Sequence, residues 1–430
     1  MRAVLTNFGS TGDIQPFLAL AIELRNGGHQ PILACSPNFR SMVERLELEF
    51  VPIGPDLQKI QCEINETWMA MPATDNSTEQ IHSLFTPLIS FLPQAYEELS
   101  QVSRNADVLI SGPVQPAARM VHEITGIPFV SVQISHLGGI GTPALQQASA
   151  ALINPFRKKL GLPFLRDPLT IDANSPQLAL YAISRHFCPL PNDWPAHYHM
   201  IGFFFLDDEQ WQPDARLVEF ITTSEPPIVI TFGSVTYDDP DQFTNMILDA
   251  ITLAGCRAII QQGWSGLAKG EMPPNVLSVG YVPHSWLFPR AACIVHHGGI
   301  GTTAWAFKAG VPSIFIPHIH MSDQIYWAEF ARELGCSGPA IHYQELGSLR
   351  LADAIKATLF NTNYYRTVAA LGEKISDEQG VKKARQLIEQ LVYDIGLYQR
   401  TSNWQTDLSP QTMAEKVNKR RECLQKQRSR

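Results

Sequence analysis

The run His296-His297-Gly298-Gly299-Ile300-Gly301-Thr302-Thr303 stands where the apolar residues Cys293, Ile294 and Val295 give way to a helix-forming segment. A strand-to-helix junction of this composition is suited to holding an anion. Glycines let the backbone approach a phosphate, the first-turn N–H groups of a helix lack intrahelical partners, and the helix dipole places partial positive charge there. The Thr302 hydroxyl and the His297 imidazole add side-chain donors. Thr303 is expected to face the helix interior, and His296 has no role that the sequence assigns. The alternative is a glycine turn that serves topology alone.

Around this junction lie further ordered blocks. Gly280-Tyr281-Val282-Pro283-His284-Ser285-Trp286-Leu287-Phe288-Pro289 precedes it and Asp323-Gln324 follows it, while Thr231-Phe232-Gly233-Ser234 and the N-terminal Gly9-Ser10-Thr11-Gly12-Asp13-Ile14-Gln15-Pro16 lie upstream. Together these blocks resemble the motifs of nucleotide-sugar-dependent glycosyltransferases of the UDP-glycosyltransferase superfamily, in the branch of sterol glucosyltransferases and bacterial natural-product glycosyltransferases. The resemblance implies a GT-B fold, two tandem Rossmann-like α/β domains with a ligand cleft between them. It also implies inverting transfer of a hexose from a UDP- or dTDP-sugar to a hydroxyl of a lipophilic or small-molecule acceptor, whether sterol-like, lipid, phenolic or polyketide. By the same resemblance, Ser234, His297, Gly299, Gly301 and Thr302 hold the diphosphate, Tyr281 stacks on the base, the Val282 backbone bonds the base edge, and Asp323 and Gln324 bind sugar hydroxyls.

Asp13 is the expected general base. Plant relatives carry a histidine there and an aspartate that orients it, whereas this chain has a carboxylate at 13 and Gly112 where the orienting residue is expected. The two departures agree physically, because an imidazole needs a partner to fix its tautomer and carry its charge, and a carboxylate does not. The competing reading is that Asp13 only caps a helix beginning near Gln15. Other positions carry alternatives too. Tyr281 could instead close the core at a strand end. Trp305 stands near the position of the plant glutamate that meets the ribose, so that contact is absent or made elsewhere. Relatives place three residues between a proline and the acidic-Gln pair, but Pro317 is followed by five, which leaves the donor sugar open. A nucleotide-sugar 2-epimerase and a non-catalytic accessory partner are the competing functions.

These residues need elements to position them. Ala3–Thr6, Gln30–Ala34, Asp107–Ile110 and Phe129–Val132 read as strands alternating with helices such as Pro16–Arg25 and Ala117–Ile124. The same alternation restarts at Pro227–Phe232 and continues through Ala258–Gln261, Val276–Val279, Cys293–Val295 and Ser313–Ile316, which predicts two parallel sheets with right-handed crossovers. The expected divisions are an acceptor domain over 1–205, a linker over 206–226, a nucleotide-sugar domain over 227–375, a helix over 376–395 that returns to the first domain, and a polar, basic tail over 396–430. In such sheets ligands sit at the carboxyl ends of the strands. Asp13, Ser234 and His297 each directly follow a strand, so all three are expected to face one cleft.

Composition narrows the classes. A chain of 430 residues fits two domains, 45% hydrophobic and 17% charged residues are ordinary for a globular protein, and a net charge of −8 disfavours nucleic acid as a partner. Seven cysteines without a C-x-x-C pair argue against a disulfide framework or zinc ribbon. With a strand at the N-terminus and no long apolar run, a cytoplasmic protein is expected. No cofactor and no metal are expected either. His318-x-His320 and His197-x-His199 lack a third ligand by spacing and are expected to be solvated or sugar-facing imidazoles, and Asp239-Pro240-Asp241 reads as loop and cap. The acceptor is harder to place: Trp68, Met69, Met71, Phe85, Phe91 and His136 either line an apolar pocket or belong to the core. Residues 409–430 hold seven Lys/Arg against Glu415 and Glu422, a solvated tail or a weak peripheral contact with an anionic membrane.

Overall fold

The structure of the protein, a computed structural model, describes residues 1–57, 78–112, 114–135, 142–189, 193–208, 210–318 and 323–401. Among them, a seven-stranded sheet has the order β3-β2-β1-β4-β5-β6-β7 and a five-stranded sheet the order β10-β9-β8-β11-β12. The first sheet comprises β1 (Arg2–Thr6), β2 (Gln30–Cys35), β3 (Glu49–Pro52), β4 (Val108–Ser111), β5 (Phe129–Gln133), β6 (Leu178–Tyr181) and β7 (Tyr198–Met200). The second comprises β8 (Ile228–Thr231), β9 (Ala258–Gln261), β10 (Val276–Val279), β11 (Ile294–His296) and β12 (Ser313–Phe315). Every pairing is parallel. Parallel strands covered on both faces read as continuous apolar runs, and Val108–Ser111 and Ile228–Thr231 are buried at every residue.

Sheet order decides where a ligand can bind. Strand order reverses between β1 and β4 in the first sheet and between β8 and β11 in the second, and the crevice beyond such a reversal is where open α/β sheets bind ligands. Asp13 and Gly112 lie just beyond β1 and β4, and Ser234 and His297 just beyond β8 and β11.

Several expectations about the elements are corrected. The first helix is Thr11–Asn26, so it starts four residues before Gln15, and Pro16 lies inside it. Pro16 is the sixth residue of this helix, past its first turn, so the helix forgoes there the one hydrogen bond that a proline cannot donate. β3, β6 and β7 lie in segments the sequence left unassigned. The expected linker contains a helix, Ala215–Thr222, capped by the Asp214 side chain on the Leu217 N–H. Residues Ile183, Phe187 and Cys188, placed by sequence in the first domain, pack in the core of the second. Phe187 meets Phe307 and Trp327 at ring distances of 5.2 and 5.5 Å. These residues lie between β6 and β7 in the chain, which is why the domain boundary at 205 placed them in the first domain.

The last described helix, Gly380–Thr401, places Ala384, Ile388, Leu391 and Ile395 in the same core as the helix Thr11–Asn26. Their spacing of four, three and four is one helical stripe. Two polar clasps flank it: Arg385 Nε donates to Glu23 Oε1 at 2.9 Å, and His29 Nε2 lies 2.8 Å from Glu389 Oε1. The chain therefore returns from the second sheet to cover the first.

Candidate active site

One wall of the cleft is built by the junction after β11. Gly299 is the N-cap of the helix Ile300–Lys308 and no side chain caps it, so the first N–H groups of that helix have no side-chain acceptor. Gly301 is exposed with open space where a Cβ would be. Thr302 is half-buried beside it. Thr303 is turned inward, its hydroxyl donating to the Gly299 carbonyl at 3.0 Å. The half-buried His297 imidazole folds over Gly299 so closely that a Cβ there would collide with its Nε2. Burial lowers the pKa of His297 to about 4, so it is neutral near pH 7, and its buried Nδ1 has no hydrogen-bond partner. Ser234 lies half-buried in the turn after β8, and Gly233 in the same turn approaches the His297 ring.

His296, which the sequence left without a role, supports this turn. It is fully buried, and its Nδ1 accepts the Gly298 N–H at 3.1 Å. The four imidazoles of His284, His296, His297 and His318 all have lowered pKa values, chiefly from burial.

On the opposite wall stands Asp13. It is the third residue of its helix, and its Oδ2 accepts both the Ser10 N–H at 2.7 Å and the Ser10 hydroxyl at 2.9 Å. This is a capping box, in which the carboxylate satisfies the N-cap amide. Asp13 therefore caps from inside the helix rather than ahead of one at Gln15. Burial raises its pKa to about 6, against the lowering effect of the Ser10 bonds, and the charge of Asp323 across the cleft raises it further. At Gly112 the structure explains the missing aspartate: a Cβ there would collide with the carboxamide of Asn7, whose Nδ2 donates to the Asp13 carbonyl at 3.0 Å. Asn7 fills the room that an orienting side chain would need.

Asp323 opens the helix Asp323–Glu333 and joins the two walls. Its Oδ2 accepts from Ser135 Oγ of the first domain at 2.6 Å and from the buried Trp327 Nε1 at 2.8 Å. Burial raises its pKa, while both bonds oppose the rise. Gln324 is buried, and its Oε1 accepts the His318 N–H at 2.9 Å, so this oxygen holds the chain after β12. His318 is neither solvated nor facing a sugar. It is buried, with Nδ1 2.7 Å from the Ile316 carbonyl and Nε2 2.8 Å from the Tyr237 hydroxyl.

Tyr281 is 54% exposed just beyond β10, which excludes the reading that it closes the core. Val282 is buried and its carbonyl already accepts from Gln261 Nε2 at 2.9 Å. Trp305 packs edge-on against Phe205 at 4.7 Å, closing the junction with the linker. Asp239 Oδ1 caps the helix Pro240–Ala254 through the Gln242 N–H at 2.8 Å. Among the described residues no group of three His, Cys, Asp or Glu could hold a metal. His136, Trp68, Met69 and Met71, the residues 319–322 after His318, and the basic tail from 402 lie outside the described residues. Phe85 packs against the first-domain core.

Sequence reasoning missed Ser10, Asn7, Ser135 and Trp327. Ser10 was legible as the first residue of Ser-x-x-Asp, and Trp327 lies one helical turn after Asp323. Ser135 and Asn7 carry no local signal, because their partners come from other segments.

The raised pKa of Asp13 predicts a pH profile. With Asp13 acting as the expected base, kcat/KM should decline as pH falls, with an apparent pKa close to 6 that belongs to the Asp13–Asp323 pair. Stability runs the other way. The folded chain holds this proton more tightly than the unfolded one, so the Asp13 contribution declines as pH rises from 3.8 through about 6. An acid limb near pH 4 in a rate profile would contradict the burial.

The two reversed sheets, the open helix N-terminus and the carboxylate facing it define a GT-B glycosyltransferase site. Comparison with known proteins agrees. Residues 3–136 match the glycosyltransferase family 28 N-terminal domain, and residues 247–389 match the erythromycin biosynthesis protein CIII-like C-terminal domain. The sterol 3-beta-glucosyltransferase UGT80B1 of Arabidopsis thaliana is 31% identical over 416 residues, 89% of this chain and 67% of that protein. The O-mycaminosyltylonolide 6-deoxyallosyltransferase of Streptomyces fradiae is 28% identical over 91% of this chain and 97% of its own. The glycosyltransferase SsfS6 of Streptomyces sp. SF2575, solved with thymidine diphosphate, shares the fold with a TM-score of 0.68 at 20% identity, over 91% of this chain and 99% of that one. The chain belongs to the UDP-glycosyltransferase superfamily, in the branch of sterol and bacterial natural-product glycosyltransferases. It spans about two thirds of the length of the plant relative. The epimerase alternative finds no support in these relatives.

Proposed function

We propose that the protein transfers a hexose from a UDP- or dTDP-sugar to a hydroxyl of a sterol-like or other lipophilic small molecule, with inversion at the anomeric carbon. The observation that carries this reading is Asp13, a carboxylate with a raised pKa facing Asp323 across the cleft. Both Ser10 donors fall on Oδ2, which leaves Oδ1 to receive the proton of the acceptor hydroxyl. The oxygen so activated attacks the anomeric carbon, the bond to the diphosphate breaks, and the helix N-terminus with His297 and Thr302 stabilises the departing charge. One displacement converts an α-linked donor into a β-linked product.

Asp323 is suited to hold a sugar hydroxyl, because Ser135 and Trp327 fix its orientation before the donor arrives. Gln324 shares the task less directly, with Oε1 committed to His318. Stabilisation by helix dipole and neutral donors needs no metal, and the relatives named for sterols and for a macrolide bear on the acceptor class. The test is incubation with UDP-glucose or dTDP-sugars and a sterol or macrolide, with product detected by mass spectrometry and its anomeric configuration by NMR. A β-glycoside formed equally well after EDTA treatment supports the reading. An α-glycoside, or activity only with added Mn²⁺, contradicts it.

A further inference from the structure

Arg45, at the end of the helix Arg40–Arg45 in the first domain, reaches across to the second domain and lies over the exposed ring of Tyr281, with Cζ 5.9 Å from the centroid. Other cation–aromatic pairs in the molecule are much closer: 4.2 Å for Arg257 over Phe220, 4.3 Å for Arg290 over Trp286 and 4.1 Å for Lys308 over Phe205. The Arg45 guanidinium is held off the ring by Asp208 of the linker, Nη2 to Oδ2 at 3.6 Å. Two stacked layers on either side of a planar ring need roughly 7 Å, from contact distances of about 3.5 Å per layer. The gap is thus too wide for a direct stack and about 1 Å short of admitting a third plane.

Tyr281 and Val282 border a cavity of about 240 Å³ that also takes in Ser278 of β10 and Trp211 and Asp214 of the linker. A flat ring placed between Tyr281 and Arg45 has an aromatic ring on one face and a guanidinium on the other. An Arg side chain is suited to the upper layer, since its planar, weakly hydrated group stacks on aromatic faces.

We propose that Arg45 is the upper layer of a nucleobase sandwich: the base of the donor enters between Tyr281 and Arg45, so the acceptor domain takes part in holding the nucleotide. This rests on the nucleotide-sugar donor of the proposed function and on Tyr281 as the platform for its base, the role that the family resemblance implies. Arg45 is a positioning and affinity residue here and touches no reacting atom. Its ion pair with Asp208 sets the guanidinium above the ring beforehand, and the base has to lift it by about 1 Å. The layer recognises a planar base and makes no contact with the diphosphate or the sugar.

The test is calorimetric titration of the full chain with UDP, dTDP and inorganic pyrophosphate. Arg45→Ala should weaken UDP and dTDP by five- to twentyfold and leave pyrophosphate within twofold. Arg45→Lys, which keeps the charge and loses the plane, should give a loss of similar kind. In a double-mutant cycle with Tyr281→Ala the two losses should be non-additive, because each variant exposes the base that the other covers. Arg45→Ala binding UDP as tightly as the unaltered protein, or more tightly, overturns the sandwich, the latter showing that Arg45 plugs the site. Equal losses for UDP and pyrophosphate also overturn it, since they report charge rather than stacking. If the unaltered protein binds pyrophosphate but neither nucleotide, the base platform itself falls and the proposed function with it.

Discussion

Asp13→Asn is expected to lower glycosyl transfer by roughly 10²–10⁴, the range a positioned general base contributes, while donor affinity and melting temperature stay close to those of the unaltered protein. Asparagine keeps an oxygen that can accept the Ser10 N–H and hydroxyl bonds, now seen on Asp13 Oδ2, and it removes only the proton acceptor. Asp13→Ala loses both, so turnover falls together with a capping contribution of about 1 kcal/mol. Capping and catalysis are thus separable at one residue, because the two Ser10 donors use one carboxylate oxygen and the acceptor uses the other. Turnover, donor affinity and melting temperature of both variants check this, under conditions where chemistry limits the rate. Asn turnover within threefold of the unaltered protein would leave Asp13 a cap and nothing more. Ser10→Ala offers a further contrast. It removes a bond that lowers the pKa of Asp13, so the acid limb of the rate profile should move upward.

What the sequence revealed follows from how local each signal is. β9 falls where its apolar run places it, because a strand buried on both faces is written as a contiguous apolar stretch, and the edge strand β10 matches its expected bounds with only its first two residues buried. The three-residue β7 escaped because it carries His199 in an edge strand with little apolar signal, and β6 went unassigned although its run Leu178–Tyr181 is apolar and as long as β9. The glycine turn and open helix N-terminus after β11 were legible because their residues are consecutive. The wall facing it was half legible: Asp13 stood in a motif, but Asn7 over Gly112 and Ser135 on Asp323 are contacts between segments distant in the chain. His318 shows the opposite error. An exposed role was read for a His-x-His spacing, whereas tertiary packing buried the ring between Tyr237 and Tyr343 and committed both nitrogens.

His297→Ala and Thr302→Ala are each expected to weaken binding of UDP or dTDP by roughly 10- to 100-fold and to lower kcat/KM at least as much, from the 1.5–3 kcal/mol carried by a hydrogen bond to a charged group. Neither should unfold the chain. Thr302 is half-buried at the helix entrance, and the buried His297 Nδ1 has no partner to lose. Thr303→Ala separates a phosphate role from a structural one. Its hydroxyl is committed to the Gly299 carbonyl, so this variant should lose stability and bind nucleotide with little change once folded. The neutrality of His297 sets a second expectation. With its pKa lowered to about 4, the imidazole donates without carrying charge, so nucleotide affinity should be flat between pH 6 and 8 as far as His297 is concerned; any remaining slope in that range belongs to the diphosphate itself. The backbone N–H groups at the start of the helix Ile300–Lys308 survive every one of these substitutions, which is why the losses stop well short of abolishing binding. Calorimetry on the three variants checks the pattern, and unchanged affinity in both His297→Ala and Thr302→Ala would remove their side chains from the cradle and leave the helix N-terminus to hold the diphosphate alone.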